Sequence, residues 1–289
     1  MINKYDHITD YFESTFDLSR IKKLPITDKF RLINYIKLVG KANDIAKAKD
    51  IDAITESPIY NIDKTFHLFI SLLASELSTE VISDIIECYA YNFDESDVYF
   101  AKIVMLGSGA LMIQKGIESN AIRSYLISLL GDEFLKSNYQ RMYNEKDILD
   151  INEENEINIK YKNFDMTYRK MKYDMLALRQ IKTDQGAQKL REVIFKSYGS
   201  KELTLYYSLL DVHDKKISEY LYRKLMKDAP KMDRFLLTAS RSMIRDVDII
   251  DMHYLLNAVI GKYTNFLKPY SEVIEEIKLR EKEILSAVQ

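Results

Sequence analysis

Apolar residues recur every three to four positions along most of the chain, a spacing typical of amphipathic α-helices. In 78–90, apolar side chains fall on one side and Glu80, Asp84 and Glu87 on the other. Ser78 precedes this stretch as a suitable N-cap. Further helices are predicted over 27–48, 64–75, 165–182, 185–198, 201–212, 214–228, 231–243, 246–266 and 270–288. The pattern predicts an all-α fold.

One predicted helix belongs at the centre of that fold. Residues 98–113 are almost wholly apolar apart from Lys102, and a helix that is apolar on all sides is buried. The small residues at 107–110 give it a surface that a neighbouring helix can approach closely. Gly116 is predicted as the residue that ends this helix, and Ser119 as the cap of the next one.

The segment 144–163 interrupts the helical pattern. It is polar, rich in Asn, and holds six acidic and three basic residues. We interpret it as an acidic linker or mobile insertion between an N-terminal helical domain, 1–143, and a C-terminal helical domain, 164–289. Successive helix–turn–helix units predict a superhelical, armadillo-like helical array in two subdomains.

Composition narrows the class of protein. The 289 residues are 47% hydrophobic and 30% charged, which is typical of a globular chain. Cys88, the single cysteine, excludes an internal disulfide and multi-cysteine metal sites, and its position in a helix predicts a buried, inert thiol. The abundance of Ile, Lys, Asn and Tyr with no Trp suggests a low-GC bacterial genome.

Charge and targeting patterns set expectations for location. A net charge of −2 argues against a surface built entirely for nucleic acid. The first residues lack the apolar core of a signal peptide. The longest uncharged apolar run, 103–113, is shorter than the roughly 20 residues of a membrane span. We expect a cytoplasmic protein with no membrane span. The alternative location is the cytoplasmic face of a membrane-bound assembly.

Candidate catalytic and metal-binding patterns are sparse. The four histidines show neither His-x3-His nor Glu-x-x-His spacing, which helix-borne zinc and di-iron sites use. The nearest candidate is Asp248, Asp251 and His253, but His253 lies about 200° from Asp251 around a helix axis. We interpret these residues as a solvated charged face. The sequence predicts no catalytic, cofactor or metal site; an enzyme would need carboxylates that come together only in space.

One stretch resembles a known family. Met-Leu-Ala-Leu-Arg-Gln-Ile at 175–181, Gln-Lys-Leu-Arg-Glu-Val at 188–193 and Ile-Arg-Asp-Val-Asp at 244–248 follow one another with characteristic spacing. Over 175–263 the chain therefore resembles the C-terminal domain of the flagellar motor switch protein FliG, a helical rotor component. The family's acidic pair is replaced here by Arg179 and Gln180.

The resemblance implies a function and a site. It implies a non-enzymatic interaction or scaffold protein whose partners are flagellar motor components. The charged positions that it implies as the partner-binding face are Asp184, Lys189, Arg191 and Glu192. Charges of this kind steer association and register. The same residues also fit the outer face of an amphipathic helix that packs Leu190 and Val193 inward.

Two further surfaces are candidates for binding. Basic residues alternate with Tyr161, Phe164, Tyr168 and Tyr173 along 160–182, a pattern that suits phosphate contact and base stacking. The alternative function is therefore that of a nucleic-acid-binding regulator. The competing interpretation of this segment is an amphipathic helix with a solvated charged side. The thin apolar stripe in 269–289 predicts docking on a partner or self-association.

Overall fold

The computed structural model describes residues 6–75, 77–93, 96–143, 156–161, 166–198, 200–267 and 271–288. Within these ranges the regular structure is helical throughout and contains no strand. The predicted all-α class is therefore confirmed. The superhelical, armadillo-like arrangement stays a prediction. None of the described helices combines the length and the apolar character needed to cross a bilayer.

The chain divides into two compact units. Unit 1 comprises Met1–Lys160 with Asn265–Leu267, and unit 2 comprises Tyr161–Thr264 with Lys268–Gln289. In unit 1 the helices are α1 Asp6–Thr15, α2 Ser19–Lys22, α3 Ile26–Ala48, α4 Asp52–Thr55, α5 Lys64–Leu73, α6 Thr79–Asn92, α7 Asp97–Gln114, α8 Ser119–Ser128 and α9 Asp132–Asn138, with 3-10 turns at Pro58–Asn61 and Tyr139–Tyr143.

The described residues of unit 2 form six helices that follow the predicted pattern with shifted ends. They are α10 Met166–Val193, α11 Lys201–Leu210, α12 Lys215–Asp228, α13 Lys231–Ile244, α14 Ile249–Val259 and α15 Ser271–Val288, with a π-helical turn at Ile194–Tyr198. The helices predicted over 165–182 and 185–198 form the single segment α10, which is kinked at Gly186 (φ 87°). The helix predicted over 246–266 is shorter, because Gly261 (φ 71°) ends it.

The predicted linker lies mostly on undescribed positions. Residues 144–155 and 162–163 fall outside the described ranges. Residues 156–161 form neither helix nor strand, and Ile157 and Ile159 are buried among the core residues of unit 1. The end of the predicted linker therefore contributes to a packed core.

The predicted central helix is confirmed as α7. Its residues from Phe100 to Ile113 are buried, and α3, α5 and α6 pack against it. The N-cap of α7 is Ser96, which was not predicted; its hydroxyl accepts from the backbone N–H of Tyr99. Gly116 adopts the predicted left-handed conformation (φ 67°). The predicted capping by Ser119 is wrong, because Glu118 occupies the N-cap position without a side-chain hydrogen bond.

The small residues of α7 are required for close helix packing. A Cβ atom added to Gly107 would lie 2.5 Å from Cγ2 of Ile86 in α6, and one added to Gly109 would lie 2.6 Å from Cγ1 of Val39 in α3. Both distances are shorter than carbon atoms tolerate. Two neighbouring helices thus approach the backbone of α7, as the residues at 107–110 predicted.

Replacing Gly109 by valine is expected to destabilise unit 1 by about 3 kcal/mol, since overpacking costs about 1–3 kcal/mol and valine exceeds alanine in bulk. Chemical unfolding followed by circular dichroism measures this loss. Asn120→Val, at an exposed position of α8, introduces the same residue without a clash and is expected to change stability by about 0.5 kcal/mol or less. Equal effects of the two substitutions would contradict the packing argument.

The C-terminal helix α15 packs on α10 of the same unit. Ile277 and Ile284 of its apolar stripe are buried. Arg280 reinforces the contact, because its Nε donates to Oδ1 of Asp174 at 2.8 Å. The stripe therefore has an intramolecular partner, and self-association through 269–289 stays a prediction.

Candidate functional site

The four predicted partner-binding residues lie on both sides of the kink in α10. Asp184 is exposed before Gly186, and its carboxylate oxygens accept from Nε2 of Gln180 at 3.0 and 2.9 Å. The other three, Lys189, Arg191 and Glu192, follow the kink. The structure therefore does not place all four on one straight helix.

Three of these charged side chains form ion pairs within unit 2. Nζ of Lys189 lies 3.2 Å from Oε2 of Glu192, and both Nε and Nη2 of Arg191 donate to Oδ2 of Asp211, at 3.0 and 2.7 Å. The hydrogen bond from Lys189 holds the pKa of Glu192 below its usual value, and the bond to Asp211 raises the pKa of Arg191. Exposed pairs are worth only about 0–1 kcal/mol, so a partner could replace them. Their role in partner binding stays a prediction.

A different surface of unit 2 exposes apolar side chains. We call it the α11–α12 face, and its members on these two helices and the turn between them are Leu205, Leu209, Val212, Ile217 and Tyr220. Leu205 is 53% exposed, Ile217 is 51% exposed and Tyr220 is 63% exposed. Leucines four residues apart on α11 share one side of the helix, as do Ile217 and Tyr220 on α12.

Both helices carry a second apolar side that is buried. Leu203, Tyr207 and Leu210 of α11 point into unit 2, and Tyr222 and Met226 do so from α12. Because α11 is apolar on more than one side, its sequence does not reveal which side is covered. The α11–α12 face was not predicted, although Leu205 and Leu209, at i and i+4, indicate a second apolar side of α11.

Two acidic groups near the α11–α12 face, those of Glu219 and Asp214, are engaged with their own unit. Glu219 on α12 accepts from Nε and Nη2 of Arg241, both at 3.0 Å. Burial by itself would raise the pKa of Glu219, but Arg241, with Arg245 and Arg223, holds it below its usual value. The carboxylate of Asp214 caps α12 by accepting from the backbone N–H of Lys216 at 2.8 Å.

Four lysines of α12 are exposed: Lys215, Lys216, Lys224 and Lys227. The last three lie on the side of α12 that carries Ile217 and Tyr220, whereas Lys215 lies about 200° from Ile217 around the helix axis. Among the described residues, the structure gives these lysines no carboxylate partner in an ion pair. Nζ of Lys224 lies 5.9 Å from the centroid of the Tyr220 ring. The α11–α12 face thus combines apolar side chains with positive charge on α12.

The basic and aromatic segment 160–182 directs most of its described rings into contacts within unit 2. Tyr168 packs edge-on against Phe235, with ring centroids 5.7 Å apart, and Tyr161 packs against Tyr263 at 5.6 Å. Nζ of Lys182 donates to the carbonyl of Met243 at 2.7 Å. Lys162 and Phe164 lie outside the described residues. Both rings are half-buried, and nucleic-acid binding by this segment stays a prediction.

A buried polar cluster in unit 2 contains the one histidine of the metal-like pattern. Nζ of Lys172 donates to Oδ1 of Asn257 at 3.2 Å, and Nδ2 of Asn257 donates to Nε2 of His253 at 3.0 Å. Burial lowers the pKa of Lys172 to about 7, with Lys262 and Arg169 adding repulsion. Burial and Lys172 lower the pKa of His253 to about 2, so the imidazole is neutral.

The predicted solvated face at Asp248, Asp251 and His253 is wrong for His253, which is 7% exposed. Asp248 caps α14 by accepting from the backbone N–H of Ile250 at 2.8 Å. Burial and the charge of Asp248 raise the pKa of Asp251 to about 6. Within the described ranges, no three His, Cys, Asp or Glu side chains come together to hold a metal ion.

Unit 1 contains a buried ion pair. Nζ of Lys102 donates to Oδ2 of Asp63 and to the carbonyl of Ile157, each at 2.6 Å. The hydroxyl of Tyr35 donates to Asp63 at 3.3 Å and accepts from the backbone N–H of Ile157 at 3.0 Å. These contacts hold Ile157 against α3 and α7, so the cluster has a structural role. The thiol of Cys88 is buried, as predicted.

Comparison of the chain with protein-family models, with curated proteins and with solved structures gave no match.

Proposed function

We propose that this chain is a non-enzymatic interaction protein that binds a protein partner through the α11–α12 face. The observation that carries the proposal is the exposure of five apolar side chains on two consecutive helices whose other sides are buried. Contiguous exposed apolar surface marks interaction sites, because covering it removes apolar area from water at about 25 cal/mol per Å².

The first partners to test are flagellar rotor components. The support for this choice is the resemblance of 175–263 to the C-terminal domain of FliG, a stretch that includes both helices of the α11–α12 face. A scaffold role in such an assembly needs docking surfaces and no reactive groups. The paired charges at Lys189, Arg191 and Glu192 lie on the same unit and would contribute to register once the apolar side chains are engaged.

The double variant Leu205→Glu/Ile217→Glu is expected to weaken partner binding at least about tenfold, because it buries charge in the apolar contact. The full-length chain would be crosslinked in its native cells, the captured proteins identified, and each candidate's affinity for the purified chain then measured. Leu279→Glu, on α15 with a 54% exposed leucine, is the matched control and should bind like the unaltered chain. A partner that binds the double variant with unchanged affinity would overturn the proposal.

A further inference from the structure

We infer that the α11–α12 face accepts an amphipathic helix with acidic flanks, supplied by a partner protein. This inference rests on the proposed function and names the chemistry of the partner segment. Its first basis is the spacing of the exposed apolar side chains. Leu205 and Leu209 are one turn apart on α11, Val212 lies in the turn, and Ile217 and Tyr220 are one turn apart on α12.

That spacing suits a helical ligand. A docking helix presents apolar side chains at i, i+3, i+4 and i+7, which form a stripe along one side. Because α11 and α12 are joined by a short turn and pack against each other, we place the apolar side chains of the two helices on either side of such a stripe. Tyr220 adds a large ring of the kind that dominates binding at interfaces.

The second basis is charge complementarity. Among the carboxylates near the face, Asp211 is paired with Arg191, Asp214 caps α12 and Glu219 is paired with Arg241. Asp228 of α12 and Glu202 of α11 are exposed, but Lys216, Lys224 and Lys227 outnumber the one exposed carboxylate near the end of their helix, so the edge of the face on α12 is net positive. Glutamates or aspartates beside the apolar stripe of a ligand helix would lie near these ammonium groups, and the same lysines would repel a basic helix.

The charge pattern also distinguishes a protein ligand from an anionic membrane surface. Glu202, which is exposed on the same helix as Leu205 and three residues before it, places negative charge beside the apolar side chains. Against a uniformly negative lipid surface this carboxylate would be repelled. A helical ligand can place a neutral or basic residue opposite it.

The test uses the full chain and a designed pair of labelled helical peptides as probes. Both peptides carry leucine at i, i+3, i+4 and i+7; the remaining positions are mainly glutamate in one and lysine in the other. Fluorescence anisotropy at low and at physiological salt measures their affinities. We expect the acidic peptide to bind at least about tenfold more tightly than the basic one and to weaken as salt increases.

Variants separate the two parts of the inference. Reversing the charge of the four exposed α12 lysines with Lys215→Glu, Lys216→Glu, Lys224→Glu and Lys227→Glu should lower the affinity for the acidic peptide at least about tenfold. The same variant should raise the affinity for the basic peptide. Leu205→Glu should weaken both. No binding of the acidic peptide at low salt, or equal binding of the two peptides, would overturn the inference.

Two other occupants are tested in parallel. Binding to vesicles of phosphatidylglycerol that is tighter than binding to the acidic peptide would overturn the inference in favour of a membrane surface. If light scattering shows a dimer that Leu205→Glu abolishes, the α11–α12 face binds a second copy of the chain, and the inference is overturned. If a partner captured in cells depends on Leu205 and Ile217 but not on the lysines or on salt, this inference fails while the proposed function stands.

Discussion

Replacing Asp63 by alanine is expected to lower the free energy of unfolding of unit 1 by about 3–5 kcal/mol, the range observed when one partner of a buried ion pair is removed. Asp63 and Lys102 each have a side chain that is only 1% exposed, and Nζ of Lys102 lies 2.6 Å from Oδ2 of Asp63. Without the carboxylate, the ammonium group would keep the carbonyl of Ile157 but lose its only counter-charge among the described ion pairs.

A second cause adds to this loss. Oδ1 of Asp63 accepts from the backbone N–H groups of Thr65 and Phe66, at 2.9 and 2.8 Å, and so caps α5. Removing an N-cap of this type costs about 1 kcal/mol. Asp63→Asn retains an oxygen for the cap but removes the charge, so it should cost less than Asp63→Ala and still deprive Lys102 of its ion-pair partner.

The measurement must report on unit 1 alone. Hydrogen exchange of peptides from α5 and α7, followed by mass spectrometry, gives local opening free energies in the intact chain. The double variant Asp63→Asn/Lys102→Met is the control, because it removes both charges and should recover part of the stability lost in Asp63→Asn. A loss smaller than 1 kcal/mol for Asp63→Ala would show that the ion pair does not stabilise unit 1.

The stability of unit 2 is expected to increase between pH 7 and pH 10, and Lys172→Met should remove most of that increase. The folded state lowers the pKa of Lys172 from 10.5 to about 7, chiefly by burial. Between these values the unfolded chain binds the proton more tightly than the folded chain does, so raising the pH favours folding. Below pH 7 both states are protonated, and the penalty for burying the charge is complete.

The expected size of this change is a few kcal/mol, since one pKa unit corresponds to about 1.4 kcal/mol. Lys262, whose pKa is also lowered by burial, adds a smaller change of the same sign. At pH 7, Lys172→Met should raise the stability of unit 2 unless loss of the hydrogen bond to Asn257 offsets it; the slope against pH is therefore the decisive quantity.

Hydrogen exchange of peptides from α10 and α14, corrected for the intrinsic exchange rate at each pH, measures the slope. Lys170→Met is the matched control, because Lys170 lies on the same helix and is exposed. Its slope should equal that of the unaltered chain. Identical slopes for Lys172→Met and the unaltered chain would show that Lys172 is not the titrating group.

Features that depend on neighbours in sequence were predictable from sequence. The all-α class, the capping of α6 by Ser78 and the end of α7 at Gly116 are set by periodicity, by a local hydrogen bond and by glycine's access to positive φ. The central position of α7 followed from its apolar circumference. The small residues at 107–110 indicated close packing without naming Ile86 or Val39.

The candidate site followed less well from the sequence. The residues Asp184, Lys189, Arg191 and Glu192 were implied by the family resemblance, and the kink at Gly186 separates Asp184 from the other three. The ion pair of Arg191 could not be predicted, because its partner, Asp211, follows α11 in the sequence. The α11–α12 face was not predicted, because the sequence of a helix with apolar residues on two sides does not show which side packs against the rest of the protein.

The amino-acid sequence by itself determined the helices, several of their ends and the burial of α7, since these follow from interactions within a few residues. Only the tertiary structure decided that Asp63 meets Lys102, that α15 covers its stripe on α10, and that His253 lies in a buried cluster. It also decided which apolar side of α11 stays in water. Such outcomes depend on which segments, distant in sequence, pack together, and a local sequence pattern does not specify these contacts.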